Sequence, residues 1–79
     1  MTTKTAPRLE TVERFIEEVE EWAGRVHSIR EKMRRVKRES EPYQDLLSEL
    51  SVELFWLKMK AEVAAEAIDE YHESLPEDE

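Results

Sequence analysis

The sequence predicts an all-α protein, an antiparallel two-helix hairpin that self-associates into a bundle of four helices. Three observations lead to this prediction. Ten apolar residues between positions 43 and 75 follow one another at alternating steps of four and three, the heptad spacing of a helix that packs along one side. A second amphipathic segment precedes them across a short link that contains Pro42. One glycine and three prolines leave little of the turn chemistry that a β-sheet requires.

A chain of 79 residues has room for one domain, and so small a domain rarely buries enough apolar surface without further support. No cysteine is present, which excludes disulfides, thiolate metal ligands and a cysteine nucleophile. Since residues 1–7 also show no apolar leader, we expect a cytoplasmic protein. Charged residues interrupt every apolar stretch, so no membrane partner is expected.

The first helix is predicted over residues 7–39, after a flexible N-terminus at 1–5. Proline is tolerated in a first helical turn, and acidic residues early and basic residues late in this segment match the helix dipole. Two apolar rows run side by side, as is typical of a helix in a bundle. One is a heptad seam of Leu9, Val12, Ile16, Val19, Ala23, Val26 and Met33, and the other is Phe15, Trp22, Ile29 and Val36.

A turn is predicted at residues 40–42, because the residue before Pro42 is displaced from helical geometry. Ser40 or Glu41 can then cap a second helix over residues 43–74, which an acidic tail at 76–79 follows. The alternative is one continuous helix kinked at the proline. The seam of the second helix is Tyr43, Leu47, Leu50, Leu54, Leu57, Ala61, Ala64, Ile68, Tyr71 and Leu75.

A hairpin that turns near residue 41 makes facing residue numbers sum to about 82. Trp22 would then lie opposite Ala61, so that a large side chain meets a small one. Ile29 would lie opposite Leu54, and the basic residues that end the first helix would lie beside acidic residues of the second.

A second apolar stripe on the second helix lies off the seam, and one neighbouring helix cannot cover both. Aromatic and methionine side chains are enriched in interface cores. We therefore predict a small interaction module, an adaptor or a regulatory or structural subunit, whose partner is a second copy in a homodimer. A different protein that docks on the aromatic pair of the stripe is an alternative. The predicted interface residues are Val52, Phe55, Trp56, Met59, Val63 and, on the first helix, Trp22.

Residues 25–38 carry seven basic side chains and one acidic side chain, although the net charge of the chain is −8. Clustered lysine and arginine suit phosphate contacts, so nucleic acid or another polyanion is an alternative ligand. The acidic excess elsewhere argues against nucleic acid as the main partner. The candidate contact residues are Arg25, Lys32, Arg35 and Arg38.

Residues 17–21 contain the spacing Glu-Glu-x-x-Glu. This loosely resembles the MazG-type all-α nucleoside triphosphate pyrophosphatases, which hold magnesium with such a helix and a later Glu-x-x-Asp helix. The resemblance implies Glu17, Glu18, Glu21 and Glu49 as ligands, but Val52 stands in place of the aspartate. It makes a magnesium-dependent pyrophosphatase, or a degenerate relative, a further alternative. The residues themselves indicate no enzyme, and we assign no catalytic residue, cofactor site or metal ligand from them.

Overall fold

The computed structural model describes residues 7–75 as two helices, α1 (Leu9–Met33) and α2 (Glu41–Ser74), joined by a link at residues 34–40. The helices contact each other along their length, and this part of the chain contains no strand. The predicted all-α hairpin is therefore confirmed for these residues, and the continuous kinked helix is wrong. The predicted flexible N-terminus at 1–5 and acidic tail at 76–79 lie outside the described residues.

Helix α1 ends at Met33, six residues before the predicted end at residue 39. The chain leaves the helix through tight turns, in which the Arg35 N–H donates to the Lys32 carbonyl (3.0 Å) and the Val36 N–H donates to the Met33 carbonyl (3.4 Å). A continued helix would place Arg34, Lys37 and Arg38 three and four residues apart, where like charges repel. Charge repulsion in the basic block thus opposes the last predicted turns of α1.

Ser40 is the N-cap of α2. Its Oγ accepts a hydrogen bond from the Tyr43 N–H (3.3 Å) and donates one to the Lys37 carbonyl (2.6 Å). Glu39 before it has a φ of 65°, the left-handed conformation that redirects the chain. Pro42 lies in the first turn of α2, where its missing N–H has no intrahelical partner to lose. These local contacts define where α2 begins.

The surface of α1 that faces α2 consists of two rows of apolar side chains. Val12, Ile29 and Met33 are buried, with 4%, 6% and 3% of their surface exposed. Half-buried side chains lie between them at Phe15, Val19, Trp22 and Val26. These rows combine one half of the predicted α1 seam with the neighbouring aromatic row, so the other half of that seam does not face α2.

The surface of α2 that faces α1 is rotated by about 50° from the predicted seam, the spacing of adjacent heptad rows. Its members are buried or half-buried at Tyr43, Leu46, Leu50, Glu53, Leu57, Lys60, Ala64, Ala67 and Tyr71. Every second member belongs to the predicted seam, and the others precede a seam residue by one position. Leu47 and Leu54 are consequently 39% and 45% exposed. The prediction that the whole α2 seam packs against one neighbouring helix is therefore wrong for half of its residues.

The register of the hairpin also differs from the prediction. The Trp22 and Trp56 ring centroids are 6.2 Å apart, and the Lys60 Nζ lies 3.1 Å from the Glu18 Oε1. Trp22 was expected opposite Ala61, about one and a half helical turns farther along α2. The chain reverses direction earlier than predicted, because α1 ends early. Every pair of facing residues is shifted accordingly.

Glu53 occupies an unfavourable place in the interface between the helices, because its Oε1 is buried without a hydrogen-bond partner among the described residues. We expect Glu53→Leu to raise the free energy of unfolding by about 1–3 kcal/mol, the usual penalty of an unsatisfied buried polar group. Urea denaturation measures this change. Glu66→Leu is the matched control, since Glu66 is an exposed glutamate of the same helix. Equal effects of the two substitutions would contradict the burial of Glu53.

Candidate protein interface

An aromatic cluster lies where α1 and α2 meet. The Trp22 and Trp56 rings are tilted at 31° to each other, and the Phe55 ring packs edge-on against Trp56 at 5.3 Å between centroids. The guanidinium of Arg25 lies 4.2 Å from the centre of the Trp22 ring, a cation–π contact. Trp and Arg dominate the energetic centres of protein interfaces, so the cluster has the composition of a binding surface.

The predicted apolar stripe lies on the outside of α2. We call Val52, Phe55, Trp56, Met59 and Val63 the outer stripe; their side chains are 55%, 54%, 44%, 40% and 43% exposed. The structure brings Trp22, the sixth predicted interface residue, against Trp56 at one edge of the stripe. The other four members lie away from α1, so the hairpin itself leaves this apolar surface uncovered.

A second apolar surface was not among the predicted interface residues. It consists of the halves of the two seams that turn away from the neighbouring helix, and we call it the heptad face. Its exposed members are Leu9, Ile16 and Ala23 on α1, Leu47, Leu54 and Ala61 on α2, and Leu75 directly after α2, and Ile68 beside them is half-buried. The signal was present in the sequence, since each row repeats every seven residues.

Both rows of the heptad face lie on the same side of the hairpin. On each helix the row follows the buried row by four residues, as Ile16 follows Val12 and Leu54 follows Leu50. Each exposed row is therefore displaced from the buried row by the same angle, in the same sense about its own helix axis. Because the two helices run in opposite directions, this displacement places both exposed rows on the same side of the hairpin. The Glu18–Lys60 ion pair marks the opposite side. The hairpin thus has one broad apolar side in addition to the outer stripe.

The basic residues predicted for polyanion binding do not form one surface. Arg25 and Lys32 lie on α1, whereas Arg35 and Arg38 lie on the link. All four are exposed, but the Arg25 guanidinium stacks on Trp22. A shallow cleft at the turn is instead lined by three arginines above an apolar floor, and only one of the three was predicted. Its lining residues are Arg30, Met33, Arg34, Val36, Arg38 and Tyr43.

The carboxylates of the pyrophosphatase-like pattern do not converge on one point. Glu17, Glu18 and Glu21 line a shallow groove on α1 with Arg14 and Glu20, and Glu18 pairs with Lys60. In the observed register Glu21 is level with about residue 57, roughly 12 Å along the helix from Glu49. Within residues 7–75, no three His, Asp or Glu side chains are grouped so that they can hold a metal ion.

The sequence matches no protein family model, and neither a characterised protein nor a solved structure matches it. Neither α1 nor α2 is long and apolar enough to cross a membrane. An interpretation of function therefore has to start from the surfaces of the hairpin.

Proposed function

We propose that this chain is a small homo-oligomeric interaction module, which acts by packing its apolar helix faces against other helices. One observation carries the proposal: two apolar surfaces, the outer stripe and the heptad face, lie outside the contact between α1 and α2. The heptad face is suited to a second copy of the chain, and the outer stripe is suited to a different protein. The chain would then serve as an adaptor or as a regulatory or structural subunit.

The energetics of burial support self-association. Ten large apolar side chains within residues 7–75 are 38–55% exposed, and complete burial of such a side chain contributes about 1.5–3 kcal/mol. Within α1 and α2, only five apolar residues are buried, and two of these are alanines. A two-helix unit with so small a core gains stability when its remaining apolar surface is covered.

Binding of a polyanion at the turn is the second candidate function, and the arginine cleft is the observation that favours it. Its charge is already partly neutralised, because the Arg34 Nη1 lies 2.7 Å from the Glu31 Oε2. The net charge of −8 also repels nucleic acid at longer range. Fluorescence anisotropy with labelled RNA and heparin over a salt series tests this candidate. Affinity that falls steeply with salt, and that Arg30→Glu abolishes, would favour it over the interaction module.

A magnesium-dependent pyrophosphatase is the remaining alternative. The observed register separates Glu21 from Glu49, so the carboxylates on which the resemblance depends lie apart. Release of pyrophosphate from nucleoside triphosphates in the presence of magnesium would establish this activity, and Glu21→Gln should then abolish it.

The proposal predicts that the protein sediments at a multiple of 9.4 kDa at micromolar concentration, with a melting temperature that rises with concentration. Sedimentation equilibrium and circular dichroism measure the two quantities. A species of 9.4 kDa that melts cooperatively would contradict self-association, because the hairpin would then be stable alone.

Trp56→Asp tests how the outer stripe is used, because a carboxylate buried among apolar groups is costly. If the stripe binds a second copy, this variant has a lower mass than the wild type. If it binds a different protein, the mass is unchanged and the partner is lost. Ser51→Asp introduces the same charge at an exposed polar position of α2 and is the control. An unchanged mass together with unchanged partner binding would leave the stripe without a role.

A further inference from the structure

We infer that the heptad face binds a second copy of the chain, so that two hairpins pack face to face with their turns at opposite ends. This inference rests on the proposed self-association and names its surface and geometry. The outer stripe stays uncovered in this dimer and is free for another partner.

The rotation of α2 relative to α1 indicates that a second copy of the chain covers the heptad face. Against α1, helix α2 directs a row that contains the charged residues Glu53 and Lys60. The row that follows it by one position in the sequence is entirely apolar, and all of its members except the half-buried Ile68 are exposed. In a four-helix bundle each helix directs its apolar seam between two neighbours, toward the centre. In this hairpin, one half of the seam of each helix faces the neighbouring helix, and the other half faces the open side of the hairpin.

At the centre of the heptad face, side-chain sizes are complementary to those of the same face. In the observed register Ile16 is level with Ala61, and Ala23 is level with Leu54. When a second hairpin is turned end over end, α1 lies on α1 and α2 lies on α2. Ile16 then meets Ala23 of the second copy, and Leu54 meets Ala61 of the second copy. At these two central pairs a large residue fills the space above a small one, as close packing requires, and farther out Leu47 meets Ile68 of the second copy.

One two-fold axis serves both helices. The midpoint of Ile16 and Ala23 lies between residues 19 and 20, and that of Leu54 and Ala61 lies between residues 57 and 58. The Glu18–Lys60 and Trp22–Trp56 contacts place residue 20 level with residue 58. The two midpoints therefore agree to within about one residue, roughly 1.5 Å along the hairpin, as a symmetric dimer requires.

Charge selects the orientation. Turning the second hairpin about the long axis, with both turns at one end, also places large residues on small ones. That arrangement brings together two strongly acidic ends, because residues 9–21 carry six acidic and one basic side chain and residues 62–74 carry five acidic and no basic ones. Residues 25–53 carry seven basic and six acidic side chains. Turns at opposite ends place this near-neutral part over the acidic ends and avoid the repulsion.

The size of the face suits a stable dimer. Its row spans two heptads on α1, roughly 21 Å, and four heptads on the second helix, roughly 42 Å, and each helix is roughly 10 Å wide. The projected area approaches the roughly 800 Å² that each partner buries in a standard interface.

Two neighbouring residues of α2 provide the test of the face. Leu54 lies on the heptad face and is 45% exposed, and Phe55 lies on the outer stripe and is 54% exposed. We expect Leu54→Glu to reduce the sedimentation mass from that of a dimer to 9.4 kDa, and Phe55→Glu to leave it unchanged. The reverse result would overturn the inference and assign self-association to the outer stripe.

Crosslinking tests the orientation, since the chain has no native cysteine. Ala61→Cys is mixed with either Leu54→Cys or Ile16→Cys and treated with a short bismaleimide. Turns at opposite ends place residue 61 beside residue 54 of the other copy, so only the first mixture should yield the mixed dimer. A mixed dimer only with Ile16→Cys would show that both turns lie at one end. A wild-type mass of 9.4 kDa would contradict self-association itself, whereas a dimer that crosslinks in neither mixture would refute only the assigned face.

Discussion

Ile29→Ala is expected to lower the free energy of unfolding by about 2–5 kcal/mol, the range for removal of a large aliphatic side chain from a core. Ile29 is 6% exposed and lies in the row of α1 that packs against α2. A chain of this length has a total stability of about 4–12 kcal/mol, so the loss removes a large part of it. Because the contact is within one chain, the loss should be the same at every protein concentration.

Ile16→Ala is the matched control, with the same change on the same helix. Ile16 is 38% exposed and lies on the heptad face. In a dilute sample its replacement should lower the urea midpoint much less than Ile29→Ala, and the difference between the two variants should narrow as concentration rises. Equal midpoints at high dilution would mean that α1 does not present the Ile29 row to α2.

Ala67→Leu is expected to destabilise the hairpin by about 1–3 kcal/mol, because added methylenes in a packed interface force neighbours apart. Ala67 is 6% exposed, and Ala64 one turn before it is 5% exposed. These alanines bring α2 close to α1. Replacing either with leucine should lower the urea midpoint, although leucine and alanine differ little in helix propensity.

Ala65→Leu separates close packing from a general effect of the substitution. Ala65 lies between the two buried alanines and is exposed, so its replacement should change the free energy of unfolding by less than about 0.5 kcal/mol. A stability loss at Ala65 that matches the loss at Ala67 would place a different side of α2 against α1.

Of the candidate interface, the outer stripe could be predicted because an apolar stripe outside the seam needs no knowledge of the neighbouring helix. The contact between Trp22 and Trp56 could not, because it depends on which residues are level with each other. Trp22 was expected opposite Ala61, and the early end of α1 moved it to Trp56. The heptad face was not predicted either, because the whole seam was assigned to the contact between the two helices of the hairpin.

The sequence by itself determined that two long helices form and that the second begins at Ser40–Pro42, because these depend on periodicity, capping and the covalent restriction of proline. It also determined which positions are apolar. The tertiary structure alone decided which of those positions face the neighbouring helix. A heptad seam consists of two rows about 50° apart around the helix. A small rotation of the helix about its axis turns either row toward the neighbouring helix, and the local structure of the helix does not change. Contacts between helices, such as Glu18 with Lys60 and Trp22 with Trp56, fix that rotation, and they come from residues more than 30 positions apart in the chain.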